Sequence, residues 1–105
     1  MSIEELLSNP SLLKKKVEEA IENKDKETLD ILIPVLKNPR LTYTAAKLVY
    51  KHPKPEWEDI IAQNLYWSYI YAKDILKDRF KKGEKIMIQN KEYLNRYIEF
   101  LESIG

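Results

Sequence analysis

The chain has no cysteine, one histidine and two glycines among 105 residues. Without cysteine there is neither a disulfide framework nor a thiolate metal site, which fits a reducing compartment, and a cytoplasmic location is the expectation. A single histidine, His52, has no second imidazole with which to build a metal site and no nucleophile beside it, and it sits next to a proline in a loop. So few glycines argue against a sandwich or barrel rich in tight turns, and no glycine-rich phosphate loop is present. No run of apolar residues is long enough to span a bilayer, and the start, Met1-Ser2-Ile3-Glu4-Glu5-Leu6-Leu7, lacks the basic opening of a secretory signal. Charge of one sign is missing too. Lys plus Arg is 18 and Asp plus Glu is 17, for a net charge of +1, so no global field draws the chain to nucleic acid or to an anionic membrane. Catalysis has little to rest on: Glu56 and Asp59 near His52 read as charges at a helix start. Neither a cofactor nor a metal is implied.

What is present is a soluble, helix-rich composition, with 44% hydrophobic and 33% charged residues in a length suited to one domain. Apolar residues recur at helical spacing through most of the chain. A short helix over Ile3 to Leu7 is stopped by Asn9-Pro10. A second runs from Pro10 or Ser11 to about Asn23 with Leu13, Val17, Ala20 and Ile21 inward. A third opens at Asp25 or Lys26, and Pro34 is expected to kink or split it. A fourth covers about Leu41 to Lys51, followed by a break at His52-Pro53-Lys54-Pro55. The fifth buries Trp57, Ile60 and Ile61. The sixth is expected over Tyr66 to Phe80 with a break at Lys82-Gly83, then a short seventh from Glu84 to Gln89 and an eighth from Glu92 to Ser103.

The organising feature is a spacing. Asn38, Asn64 and Asn90 are evenly placed along the chain, each followed by a helix-forming run. In that register Leu41 aligns with Trp67 and Tyr93, Ala45 with Tyr71 and Tyr97, Ala46 with Ala72 and Ile98, and Val49 with Ile75 and Leu101. Asn9 starts a fainter copy, set off by a longer interval. Each unit reads as a short helix, an asparagine-centred turn and a longer helix, a hairpin that cannot bury its apolar face alone and so stacks on its neighbours. The expectation is an all-α domain over residues 1–105, a short right-handed solenoid or bundle of about eight helices in four units, near 1–24, 25–52, 53–81 and 82–105.

Tyr71-Ala72-Lys73 followed by Ile75-Leu76-Lys77, Arg79-Phe80 and Gly83-Glu84 resembles the tandem short α-helical repeats of otherwise uncharacterised bacteriophage proteins. The resemblance is close over Asn64 to Gly105, diluted over Asn38 to Lys51, where His52-Pro53 replaces the Arg-Phe pair, and faint before that. It implies a phage or prophage origin, hence a host-cell cytoplasm, and a helical-repeat fold; it supplies no activity and no catalytic residues.

Three groups of residues are candidates for a function. Lys47 and Lys73 share a repeat position, and each is followed in the next hairpin by a glutamate, Glu58 and Glu84; an ion pair between units is expected over an anion site, contributing at most about 1 kcal/mol if exposed. The asparagines are expected to serve turn geometry, through left-handed backbone or bonds within their own turns. The aromatic group is the stronger lead: at helical spacing Tyr66, Ile70, Lys73 and Lys77 point outward, while Trp67 and Tyr69 point sideways toward neighbouring units. Tyr66, Tyr69, Ile70, Lys73 and Lys77, with Tyr43 and Arg96, form a candidate surface for a host or phage protein, or for a second copy of the chain. A protein-binding module that inhibits or modulates its partner is the expected function. The alternative is a sequence-tolerant nucleic-acid binder using Lys47, Lys51, Lys73, Lys77 and Arg96 with Tyr43, Tyr66 and Tyr69 interleaved for stacking; the balanced charge argues against it.

Overall fold

The computed structural model describes residues 2–105, which are all-helical, with no strand among them. Eight α-helices follow in order: α1 Ile3–Leu7, α2 Pro10–Glu22, α3 Lys26–Leu36, α4 Pro39–Ala45, α5 Glu58–Ile61, α6 Leu65–Tyr71, α7 Lys81–Ile88 and α8 Lys91–Ile104. A 3-10 turn, Pro55–Trp57, leads into α5, and both α4 and α6 continue into a π-helical turn, over Ala46–Tyr50 and Ala72–Leu76. The molecule is elongated, with principal extents of 48 × 25 × 18 Å.

The asparagines are helix N-caps. The side-chain oxygens of Asn9, Asn38, Asn64 and Asn90 accept hydrogen bonds from the backbone N–H groups of Leu12, Leu41, Trp67 and Tyr93, at 3.2, 3.0, 3.0 and 3.0 Å. Each satisfies a donor that the first helical turn leaves without a partner, a contribution of about 1 kcal/mol. Their backbone is not left-handed, which corrects that half of the expectation: φ is −136°, −100°, −125° and −128°. The left-handed positions are instead lysines at helix C-termini, Lys24, Lys37, Lys51 and Lys77, with φ of 54° to 61°. Lysine is a poor residue for that conformation but a good one for the negative end of a helix dipole.

Several element boundaries differ from the sequence reading. Helix α3 runs through Pro34 to Leu36, because the missing donor falls within the last turn and interrupts only one bond. The helix through Tyr71 stops at Leu76, where left-handed Lys77 turns the chain, and Phe80 lies beyond it as a buried anchor with its ring 5.0 Å from that of Tyr71. Gly83 is not a break but an interior residue of α7. A Cβ at this position would lie 2.8 Å from Ser68 Cβ and 2.6 Å from the Phe80 ring, so the glycine is a close-approach residue that lets α7 settle on α6. The core forms two adjoining clusters. One joins Leu13, Val17, Leu29, Ile33 and Trp57; the other joins Tyr43, Ile61, Tyr71, Phe80, Met87 and Tyr97, and Ile75 packs against both.

Two buried tyrosines tie successive segments together with the same set of bonds. The Tyr71 hydroxyl accepts from the Lys54 N–H at 3.0 Å and donates to a Glu58 carboxylate oxygen at 2.7 Å. Each group has a counterpart further along the chain, at the spacing of the capping asparagines: the Tyr97 hydroxyl accepts from the Phe80 N–H at 2.9 Å and donates to Glu84 at 2.6 Å. This replaces the expected pairing of Lys47 with Glu58 and Lys73 with Glu84. The glutamates turn toward tyrosine hydroxyls, Glu84 being held further by Arg79 at 2.9 and 3.0 Å, while Lys47 bonds to Asp74 at 3.4 Å. Where the aligned tyrosine is Ala45, the residue aligned with the glutamate is Leu32, and both are buried. Hydroxyl and carboxylate are thus replaced together, as they must be if neither is to be left unsatisfied.

Gly83→Ala is expected to destabilise the protein by about 1–3 kcal/mol through overpacking, read as a lowered denaturant midpoint. The tyrosine junction also makes stability depend on pH. Burial and the bond to Glu84 push the Tyr97 hydroxyl up to about 12 from its ordinary 10. The folded protein keeps this proton after the unfolded chain has released it, so the contribution is intact below pH 10 and is lost as pH rises through about 12. The stability difference between the native chain and Tyr97→Phe, measured by denaturant titration, should therefore shrink over that window. At the acid end, hydrogen bonding to Arg79 holds Glu84 below its ordinary 4.5, and its contribution is lost as pH falls through that lowered value.

Candidate partner-binding face

Along one side of α4, α6 and α8 the aromatic residues form a strip. The Tyr43 ring stacks on Trp67 at 5.1 Å, and Trp67 meets Tyr66 edge-to-face at 4.7 Å. The Tyr69 ring meets Tyr93 edge-to-face at 5.9 Å. Tyr43 with Trp67 and Tyr69 with Tyr93 hold corresponding positions relative to the capping asparagines, and the rings touch in both pairs, tilted at 35° in the first and at 75° in the second. Cations lie over the rings: Lys47 Nζ is 5.8 Å from the Tyr43 centroid, Lys73 Nζ 6.0 Å from that of Tyr69, and the Arg96 guanidinium 5.3 Å from that of Tyr93. Such placements contribute about 0.5–1 kcal/mol at exposed sites and fix where each charge is presented.

The seven sequence-derived candidates do not share one environment. Tyr66 is 46% exposed and stands outermost. Tyr69 and Ile70 are half-buried, and Lys73 is exposed with no ion-pair partner among the described residues. Arg96 is exposed and bridges to Glu92 at 2.8 Å. Tyr43 is 6% exposed, with its hydroxyl donating to Asp74 at 3.0 Å. Its place is beneath the strip, where it holds Trp67, and it offers a partner almost no surface. Burial and the bond to Asp74 raise its hydroxyl above the ordinary tyrosine value, which keeps the donor protonated. Lys77 stands apart at the turn after the second π-helical turn, where Lys47, Lys51, Asp74, Ile75 and Lys77 line a small cleft of about 180 Å³.

Sequence reasoning missed Trp67 and Tyr93 as surface members. Both fall at the third position after an asparagine, which the alignment already marked, but their partial exposure follows from how far apart the stacked helices stand. It also missed the junction around Lys54, a 9% exposed lysine whose ammonium lies 3.8 Å from the Tyr50 centroid and 4.6 Å from that of Trp57 and pairs with Glu56 at 2.7 Å. There the Tyr50 hydroxyl donates to Asp30. This group joins α3 to the start of α5.

His52 is exposed, and its Nδ1 lies 2.7 Å from the Pro53 carbonyl. Among the described residues no group of three or more His, Asp or Glu side chains is placed to hold a metal ion, and no helix is long and apolar enough to cross a membrane. An open groove of about 620 Å³ runs between α5 and α7 past Asp59, Gln63, Lys81, Lys82 and Lys85; Lys82 is paired there with Asp59 at 3.1 Å. No protein-family model matches the chain, and comparison with curated proteins and with solved structures found no match.

The two tryptophans report on this face. Trp57 is 1% exposed while Trp67 is half-buried, so acrylamide should quench the fluorescence in two components. Trp67→Phe should remove the accessible component and leave emission resistant to the quencher.

Proposed function

We propose that this chain is a small, non-enzymatic protein-binding module built of stacked helical hairpins, which engages a host or phage protein through the strip centred on Tyr66, Trp67, Ile70 and Lys73. The stacked arrangement is supported by the capping asparagines, by the two tyrosine junctions at matching repeat positions, and by an elongated shape. A radius of gyration of 14.8 Å exceeds the roughly 13 Å expected of a compact globule of this length, as a row of hairpins requires. Phage origin enters from the resemblance of Tyr71 to Glu84 to phage helical repeats.

One observation carries the binding assignment: aromatic and aliphatic surface stays partly open at Tyr66, Trp67 and Ile70 while a cation without a carboxylate partner, Lys73, stands beside it. Rigid aromatics held by a buried neighbour lose little entropy on binding, and interface centres are enriched in such residues. The complementary partner surface carries an apolar or aromatic group flanked by a carboxylate. Occlusion of that surface is the mechanism, because the face contains nothing that processes a substrate.

Affinity purification from host cells tests this by comparing the native chain with Tyr66→Ala and with the pair Ile70→Ala and Lys73→Ala. A protein recovered by the native chain and lost, by tenfold or more in titration of the purified pair (about 1.4 kcal/mol), from both variants is the expected result. Affinity for that partner should fall only mildly with salt. Recovery of nucleic acid alone, with an affinity that drops steeply as salt rises, would overturn the assignment in favour of a phosphate-binding role for the same lysines.

A further inference from the structure

The small residues of α4 and α6 that a following helix covers have large apolar counterparts on α8. Thr42 and Ser68 are completely buried at one such position, and Ala46 and Ala72 at the next. Their small size lets the following segment approach, as Gly83 does against Ser68. On α8 these positions are Leu94, which is half-buried, and Ile98, which is 44% exposed. Further along the helix Leu101 and Ile104 line a groove together with Lys77, Asp78, Arg79 and Gly105. Arg79 is bound to Glu84, whereas Lys77 has no ion-pair partner among the described residues. The opposite end of the molecule also leaves apolar surface open. Helix α1 is short and amphipathic, leaving Ile3 and Leu7 50% and 57% exposed beside exposed Glu4 and Glu5.

We infer that the α8 face is a docking site for the α1 end of a second copy of this chain, so that molecules join head to tail with hairpins continuing in register. The occupant is argued from what covers the equivalent faces of α4 and α6, namely the short helix of a following hairpin, and from chemistry. Ile3 and Leu7 meet Ile98, Leu101 and Ile104, while Glu4 and Glu5 approach Lys77. The contact joins two different surfaces, leaves one of each free, and therefore extends into open chains instead of closing as a two-fold dimer. The equivalence of α8 with α4 and α6 rests on the stacked-hairpin reading, but the residues used are separate from Tyr66, Ile70 and Lys73, so loss of one interaction leaves the other measurable.

Sedimentation equilibrium over the micromolar to millimolar range provides the test. The native chain should show an average mass that rises with concentration without levelling at two chains. Leu7→Glu and Ile98→Glu alter exposed positions, should keep the native helical content by circular dichroism, and should each be monomeric alone. Mixed in equal amounts they should form a species of two chains and no more, because the mixture offers one intact α1 end and one intact α8 face. A native chain that stays monomeric throughout overturns the inference. So does a dimer that Ile98→Glu abolishes and Leu7→Glu leaves intact, since that is a two-fold contact of α8 with itself.

Discussion

The fold depends on a buried tyrosine hydroxyl that has a donor on one side and an acceptor on the other. Tyr71 and Tyr97 are almost wholly inside the protein, and a phenol in that position is costly unless its oxygen is fully bonded. Each satisfies the N–H of the segment entering the preceding short helix and meets a glutamate in that helix's first turn or close to it. Helix α6 is thereby locked to the start of α5, and α8 to the start of α7. Burial and the carboxylate both raise the tyrosine pKa, so the arrangement stays protonated throughout the range in which a cell operates.

Close approach follows from small side chains. Ser68 and Ala72 on α6 and Gly83 on α7 remove the volume that would hold the helices apart, and Phe80 then fills the space beside Tyr71. The turn that delivers Phe80 requires α6 to end abruptly, which it does by widening into a π-helical turn and reversing at left-handed Lys77. Helix α4 ends the same way at Lys51. In both places a strained lysine is tolerated because the geometry of the following contact is strongly specified.

The same packing accounts for the surface. Trp67 and Tyr93, three positions after Asn64 and Asn90, meet Tyr43 and Tyr69, five positions after Asn38 and Asn64, across neighbouring long helices and so cannot be drawn fully into the core. Tyr66 and Ile70 remain at the outer edge for lack of a neighbour that covers them. On the proposed reading this face recognises a partner while the two ends of the row recognise each other. A small chain would thus have two separate means of association.

Much of this was readable along the chain. The all-helical class, the order of the eight helices, the inward residues Leu13, Val17, Ala20, Trp57 and Ile61, and the sideways direction of Trp67 and Tyr69 follow from local periodicity and from proline and asparagine placement, which act within one or two turns. The partners of Glu58 and Glu84 did not, because each glutamate lies at a similar sequence distance from a lysine on the long helix before it and a tyrosine on the long helix after it, and only the packing of those helices puts the hydroxyl in reach. The role of Gly83 was hidden for the same reason: a glycine after a lysine reads as a break until the neighbouring Ser68 is seen against it. Tyr43 reads as a surface aromatic in its own helix and is buried once the next long helix lays Trp67 against it. Sequence alone determined which segments are helical and which side of each is apolar, since those are properties of a single turn. Tertiary structure decided which polar groups pair and which aromatics stay open, since burial of a side chain depends on how closely another helix approaches.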